Sequence, residues 1–251
     1  MTEHKNFPEF YITAPQPCPY IAGRLERKLF THLTTDKSGA LIDNLLKGGF
    51  RRSQNIAYMP YCDSCSSCVS VRVSVEELEE RKSFKRIWRR NQDIVATRVH
   101  PIPSSEQYAL FRDYIDARHS DGGMADMSVL DYAVMVEDTA VDTFLTEYRV
   151  VTKRQPHRPN DDTALIAVAL CDRLSDGISM VYSFFDPQLR TRSLGTYLVL
   201  EHIDYARRLG LPYVYLGYWI EGSPKMNYKT RFQPLEHLTK KGWRRIKTKA
   251  P

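Results

Sequence analysis

Three groups of residues in this chain have the types and spacing to do chemistry. The first is Cys62, Cys65 and Cys68, spaced CxxCxxC, with Cys18 upstream. A tight turn at that spacing lets thiolates converge on one ion. Cys18 could then complete a set for a structural zinc or an iron–sulfur cluster. Reduced cysteines turned against a core would look the same, and both readings stay open. No second CxxC pair follows, so this is not a standard zinc ribbon. Cys171, inside an apolar run, reads as plain core.

The second group lies on a basic turn. Residues 178–185 form an apolar and aromatic run that Asp186-Pro187 ends, because proline has no donor for a sheet ladder. Arg190 and Arg192 follow. Ser193 is then placed to cap a helix in which Leu194, Leu198, Ile203, Ala206 and Leu209 recur at helical spacing and Gly210 gives the stop. Residues 213–217 read as a second buried strand. A strand–helix–strand unit with arginines at the helix entrance can hold an anion on free N–H groups and guanidinium side chains. It can equally be an ordinary packing unit with solvated arginines.

Beyond the second strand, Tyr218, Lys225, Tyr228, Lys229 and Arg231 gather where α/β proteins tend to place ligands. Lysine and arginine there suit phosphate or carboxylate, and a solvated loop is the plainer alternative.

Other elements must position these groups. Residues 24–34 look weakly helical. Residues 38–46 make a better helix, with Ser38 or Asp36 as cap and Gly48-Gly49 as stop. Val69, Val71, Val73 and Val75 alternate with polar residues as a half-buried strand does. SFKRIWRRNQD, residues 83–93, interleaves Phe84, Ile87 and Trp88 with four cations. It suits a nucleic-acid backbone, or an amphipathic surface helix. Strands are expected at 94–99, 143–151, 165–173 and 178–185. Ser104 with Gln107 forms a capping-box pattern, and 128–138 a short helix. Residues 153–162 read as a charged hairpin-type loop. Pro101-Ile102-Pro103 marks a boundary between a Cys-containing first domain, 1–100, and a second, 101–251.

The chain has 251 residues, net charge +6 and a pI near 9.0. Its basic excess clusters at 81–90 and 240–249, which suits a polyanionic partner or a solvated face. No apolar run approaches the roughly 20 residues that span a bilayer, and the first residues carry no signal pattern, so a cytoplasmic protein without a membrane partner is expected.

Several blocks kept in order, CPYIAGRLERKLF, GGFRRSQNIAYMPYC, VYSFFDPQLRTRSLGTYLVLEHI, LPYVYLGYWIEGSPKMNYKTRF and QPLEHL, resemble the bacterial aminoacyl-tRNA–protein transferases. The resemblance is closest to the aspartate/glutamate leucyltransferase branch of the arginyl-tRNA–protein transferase family. It implies transfer of leucine from leucyl-tRNA to proteins that begin with Asp or Glu, marking them as N-degrons for a downstream protease adaptor. It implies an α+β fold whose C-terminal domain is similar to the N-acetyltransferases, a mixed sheet flanked by helices, after a smaller N-terminal α+β domain. Ser193 stands where the acyl-CoA pyrophosphate loop usually has glycine, although Arg190 and Gly195 match it, which disfavours an acetyl-CoA-dependent enzyme. Transfer from arginyl-tRNA is the nearer alternative. A third reading is a non-catalytic RNA-binding protein.

The implied reaction consumes no cofactor, because an aminoacyl ester is already activated and an α-amine is partly neutral at physiological pH. Positioning supplies most of the acceleration. Asp186 or Tyr218 is the expected general base. Arg190, Arg192, Ser193, Gly195, Lys225, Tyr228, Lys229 and Arg231 are expected to hold the acceptor carboxylate and the RNA phosphates, with Tyr182, Phe184 or Phe185 lining the leucyl pocket.

Overall fold

The computed structural model describes residues 8–33, 39–120, 122–151 and 163–246. The first part holds β1 (Tyr11–Ile12), β2 (Gln16–Pro17), β3 (Leu25–Glu26), β4 (Lys28–His32), α1 (Gly39–Lys47), β5 (Arg51–Ser53), β6 (Ile56–Pro60), β7 (Val69–Ser74), α2 (Lys82–Arg90) and β8 (Ile94–Val99). Then come α3 (Ser105–Arg118), α4 (Val129–Glu137), β9 (Thr143–Val151), β10 (Thr163–Leu174), β11 (Gly177–Phe185), a 3-10 turn (Arg190–Arg192) and α5 (Leu194–Arg208). The chain closes with β12 (Tyr213–Trp219), a second 3-10 turn (Asn227–Arg231), β13 (Leu235–Thr239) and β14 (Gly242–Arg245).

Eight strands form one mixed sheet in the order β14-β13-β7-β12-β11-β10-β9-β8. Every neighbouring pair is antiparallel except β11 and β12, which run parallel because α5 crosses between them. Alternate residues of β10 serve opposite faces. Ala167, Ala169 and Cys171 join the core under α2 and α5, whereas Val168 and Leu170 join the one under α3 and α4. A mixed sheet with helices on both faces is the α+β architecture expected. The division expected at residue 100 falls just after β8. Both β7 and β8, from before that point, are strands of the large sheet.

The capping box at Ser104 and Gln107 is present, and a second joins Ser128 to Asp131 at the start of α4. Gly210 ends α5 with a φ of 69°. Cys171 is fully buried, its sulfur 3.2 Å from His202 Nε2. The caps proposed at Asp36 and Ser38, and the loop at 153–162, lie outside the described residues.

Three expectations need correction. The helix expected over 24–34 is absent from its described residues, 24–33: β4 pairs with both β1 and β6, and those ladders override a weak local preference. β7 is not half-buried. It runs between β12 and β13, so Arg72 is buried too, its guanidinium 3.4 Å over Tyr213 and 4.3 Å over Trp243, with Nε donating to Glu236 at 2.8 Å. Ser193 stands at the start of α5 but makes no side-chain cap bond.

Ser193 instead takes φ 55° and ψ 42°, the left-handed conformation a glycine adopts freely. Ser193→Gly is therefore expected to raise stability by up to about 1 kcal/mol, read as a higher denaturant midpoint. A lower midpoint would show that the serine side chain stabilises the turn.

Candidate active site at the parted strands

The site begins where β11 and β12 stop pairing. Their parallel register covers Gly177↔Tyr213, Ile178↔Val214 and Ser179↔Tyr215, and ends there. Past this point β11, still paired with β10 on its other edge, has carbonyls without a strand on the β12 side, and buried backbone acceptors need donors. Arg51, from β5 of the small sheet, supplies them: its Nη2 donates to Met180 O at 2.8 Å and Val181 O at 2.9 Å. Gly217 makes room with a φ of 77°. A Cβ built there would meet Arg51 Nη1 and lie 2.5 Å from Cζ. Arg51 Nη1 itself is buried and has no hydrogen-bond partner among the described residues.

A cavity of about 780 Å³ opens at this gap, within the range of small-molecule sites. Met180, Val181, Leu194, Val199, Leu216 and Met226 give it apolar walls. Tyr20, Tyr114, Tyr182 and Phe185 add aromatic rings. Arg51 and Lys229 line it from inside; Arg190 and Lys225 line it as exposed residues. Lys229 is 7% exposed and its Nζ donates to Tyr218 O at 2.5 Å. Burial, with the Arg51 charge adding to it, brings its ammonium down to about 7.

The residues expected at the site divide. Arg190, Ser193, Gly195, Lys225, Tyr228 and Lys229 all line the cavity, as do Tyr182 and Phe185. Gly195 lets α5 approach the Phe185 ring, which a Cβ would reach at 3.3 Å. Arg192, Arg231, Phe184, Asp186 and Tyr218 do not line it. Arg192 is held by Asp93 through two bonds of 2.7 and 2.8 Å, and Arg231 donates to Thr196 Oγ1. Phe184 belongs to the core beneath α3.

Asp186 and Tyr218, the expected bases, lie outside the cavity lining. An Asp186 oxygen accepts from the Gln188 N–H and shapes the turn. The Tyr218 hydroxyl donates between Gly49 O and Tyr58 O, at 2.9 and 3.0 Å, and burial pushes its phenol far above the ordinary range.

Arg51 is the residue that sequence reasoning missed, together with Tyr114 and Arg118. Its hydrogen-bond partners lie 129 and 130 residues away in the chain. The one local signal is Gly217 inside an apolar strand, which marks a bulge or a close approach. The β12–β7 register does shift between Tyr215 and Gly217.

The four N-terminal cysteines are near neighbours. Burial, reinforced by Cys18, Cys62 and Cys65, pushes the Cys68 thiol up to about 11. Cys65 is lowered, first by its hydrogen bond with Ser67. Cys62 Sγ is turned to Arg27 O, 3.8 Å away, and Cys65 Sγ to Ser67 Oγ, 3.4 Å away. Among the described residues no three or more His, Cys, Asp or Glu stand in a metal-holding arrangement. No chemistry is routed through these cysteines.

Fold and cavity together define a mixed-sheet α+β protein with a cation-lined pocket where two parallel strands part. Family models described as the N and C termini of arginine-tRNA-protein transferase match residues 16–86 and 106–239. The chain belongs to that family. A protein of Brucella suis named aspartate/glutamate leucyltransferase is 57% identical over 243 residues, covering 95% of this chain and 96% of its own. One of Xanthobacter autotrophicus with the same name is 57% identical over 250 residues, covering 98% and 99%. Among solved structures, FemX is 10% identical with a TM-score of 0.47, covering 79% of this chain and 64% of its own, a likeness too slight to carry function. No helix among the described residues is long and apolar enough to cross a membrane.

Proposed function

We propose that this chain transfers leucine from leucyl-tRNA to the N-terminal Asp or Glu of proteins, producing N-degrons in the cytoplasm for a downstream protease adaptor. The names of its relatives support this reaction. The observation that carries it is a cavity lined by Arg51, whose Nη1 is buried without a hydrogen-bond partner among the described residues, together with Arg118, Arg190, Lys225 and Lys229. A carboxylate is the natural partner for such a group.

Arg51 and Lys229 receive the acceptor's acidic side chain, while Arg190 and Lys225, exposed at the cavity, meet the phosphates of the RNA 3′ end. The leucyl side chain packs on Met180, Leu194, Val199 and Leu216. An arginyl side chain would bring a third cation close to Arg51 and Lys229, and that repulsion favours leucine as the donor's amino acid. In the reaction the α-amine nitrogen bonds to the ester carbonyl carbon. The bond from that carbon to the ribose oxygen breaks, and the amine proton leaves to that oxygen or to water. The protein contributes orientation and exclusion of water.

The Lys229 placement has a pH signature. At pH 8 the free side chain, with its pKa near 7, is mostly neutral. An arriving carboxylate favours the charged form. Binding of an Asp-first peptide should therefore draw a proton from solvent at pH 8. At pH 6 Lys229 is already charged and its uptake vanishes. Calorimetry in buffers of different ionisation enthalpy reads this uptake, which Lys229→Met should lack. Equal uptake by both proteins would contradict the placement.

The function is tested with purified protein, labelled leucyl-tRNA or arginyl-tRNA, and peptides that begin with Asp, Glu, Lys or Ala. Leucine on the Asp and Glu peptides, lost after ribonuclease treatment, is expected. Arginine in its place would overturn the donor assignment. No transfer from either tRNA would overturn the reaction.

A further inference from the structure

The outer face of α2 carries a charge pattern that its own stability does not explain. Phe84 and Ile87 are buried and Trp88 packs edge-on to Tyr197 at 5.2 Å, which fixes the inner face. Lys82, Lys85, Arg86, Arg89 and Arg90 are all exposed, and the helix contains no acidic residue. Lys85 pairs with Glu80 and Arg90 reaches Thr191 O. Lys82, Arg86 and Arg89 have no ion-pair partner among the described residues. At positions i, i+4 and i+7 they share one stripe about 10 Å long.

The N-terminal end of α2 also opposes the helix dipole. Arg81 stands at the N-cap without a side-chain cap bond, Lys82 follows, and the first turn holds no acid.

The stripe is fastened to the cavity. Asn91, 1% exposed, donates from Nδ2 to Ile87 O and to Arg192 O, both at 2.9 Å. The paired bonds from Arg192 to Asp93 hold the same turn from the other side. That turn presents Arg190 to the cavity.

We propose that the exposed face of α2 is a docking track for an RNA phosphate backbone, with Lys82, Arg86 and Arg89 contacting phosphates ahead of the Arg190 entrance. This rests on the proposed function for the identity of the RNA, a tRNA charged at its 3′ end. The track contacts phosphates and reads no bases, so it contributes affinity and registration without sequence choice.

The test compares the intact chain with a Lys82→Ala/Arg86→Ala/Arg89→Ala variant. Binding of uncharged tRNA is titrated at several salt concentrations, and transfer is measured with leucyl-tRNA and with a leucyl ester of a short CCA oligonucleotide. The variant should bind tRNA about 10- to 100-fold more weakly, and its log–log salt slope should fall by about 2 to 3. Its transfer from the short donor and its KM for the acceptor peptide should be unchanged. An Arg86→Lys/Arg89→Lys variant should keep the salt slope.

An unchanged slope and affinity in the alanine variant would overturn the proposal. So would an equal loss with the short donor, which would mean that α2 acts only through the fold. A wild-type protein that binds tRNA with the expected slope but transfers no leucine would fail the reading of function and leave the track standing.

Discussion

Arg52→Met is expected to destabilise the protein by about 3–5 kcal/mol, because it leaves a carboxylate buried without its partner. Arg52 and Asp172 have fully buried side chains and meet through two bonds, Nε to Oδ2 at 2.7 Å and Nη2 to Oδ1 at 2.8 Å. Arg52 Nη1 also donates to Gln54 O, and Thr143 Oγ1 donates to Asp172 at 2.7 Å. The pair joins β5 of the small sheet to β10 of the large one. Arg51 is the next residue on β5, so loosening this joint also loosens the cavity wall. Urea unfolding measures the loss. Arg52→Met/Asp172→Leu should recover most of it, since removing both charges leaves neither uncompensated. A single variant as stable as wild type would mean that the ion pair does not hold the sheets together.

The second large effect is expected at Gly217. Gly217→Ala should lower kcat/KM for Asp-first peptides by about 10- to 100-fold, the loss of one charge-assisted hydrogen bond. The new Cβ would take space now held by the Arg51 guanidinium, in a backbone with φ of 77°. Backbone strain alone could lower activity, and Gly210→Ala controls for it. Gly210 has φ of 69° and nothing within 4 Å of a built Cβ, so it carries similar strain without displacing a cation. The account requires the Gly217 variant to lose activity toward Asp peptides and the Gly210 variant to retain it. Equal losses in both would assign the effect to strain.

Much of the frame was legible in the sequence because its signals are local. The capping box at Ser104, the short helix from Ser128, the apolar spacing of α5 and the Gly210 stop each lie within a few residues of what determines them. The basic turn and the 225–229 loop were legible as a candidate site because they follow the ends of buried strands, and residues of both line the cavity. The strands β3 and β4 were not, since their partners lie in separate segments and their own composition is ambiguous. Asp186 and Tyr218 had suitable chemistry, but neither lines the cavity, and backbone groups invisible in the sequence engage one Asp186 oxygen and the Tyr218 hydroxyl. Arg51 was hidden for the same physical reason. Its role exists only once β11 and β12 part and leave carbonyls to satisfy, an event more than a hundred residues away. The exposed stripe on α2 was legible as charge, but its attachment to the cavity through Asn91 and Arg192 was not.

The most direct test of the account compares acceptors that differ only in charge. Transfer of leucine from leucyl-tRNA is measured at neutral pH to peptides identical except for an N-terminal Asp or Asn. Because Asn has nearly the size of Asp and lacks the charge that Arg51 and Lys229 are proposed to meet, kcat/KM should favour Asp by about 100-fold. Similar rates for the two peptides would contradict the claim that these cations select the acceptor.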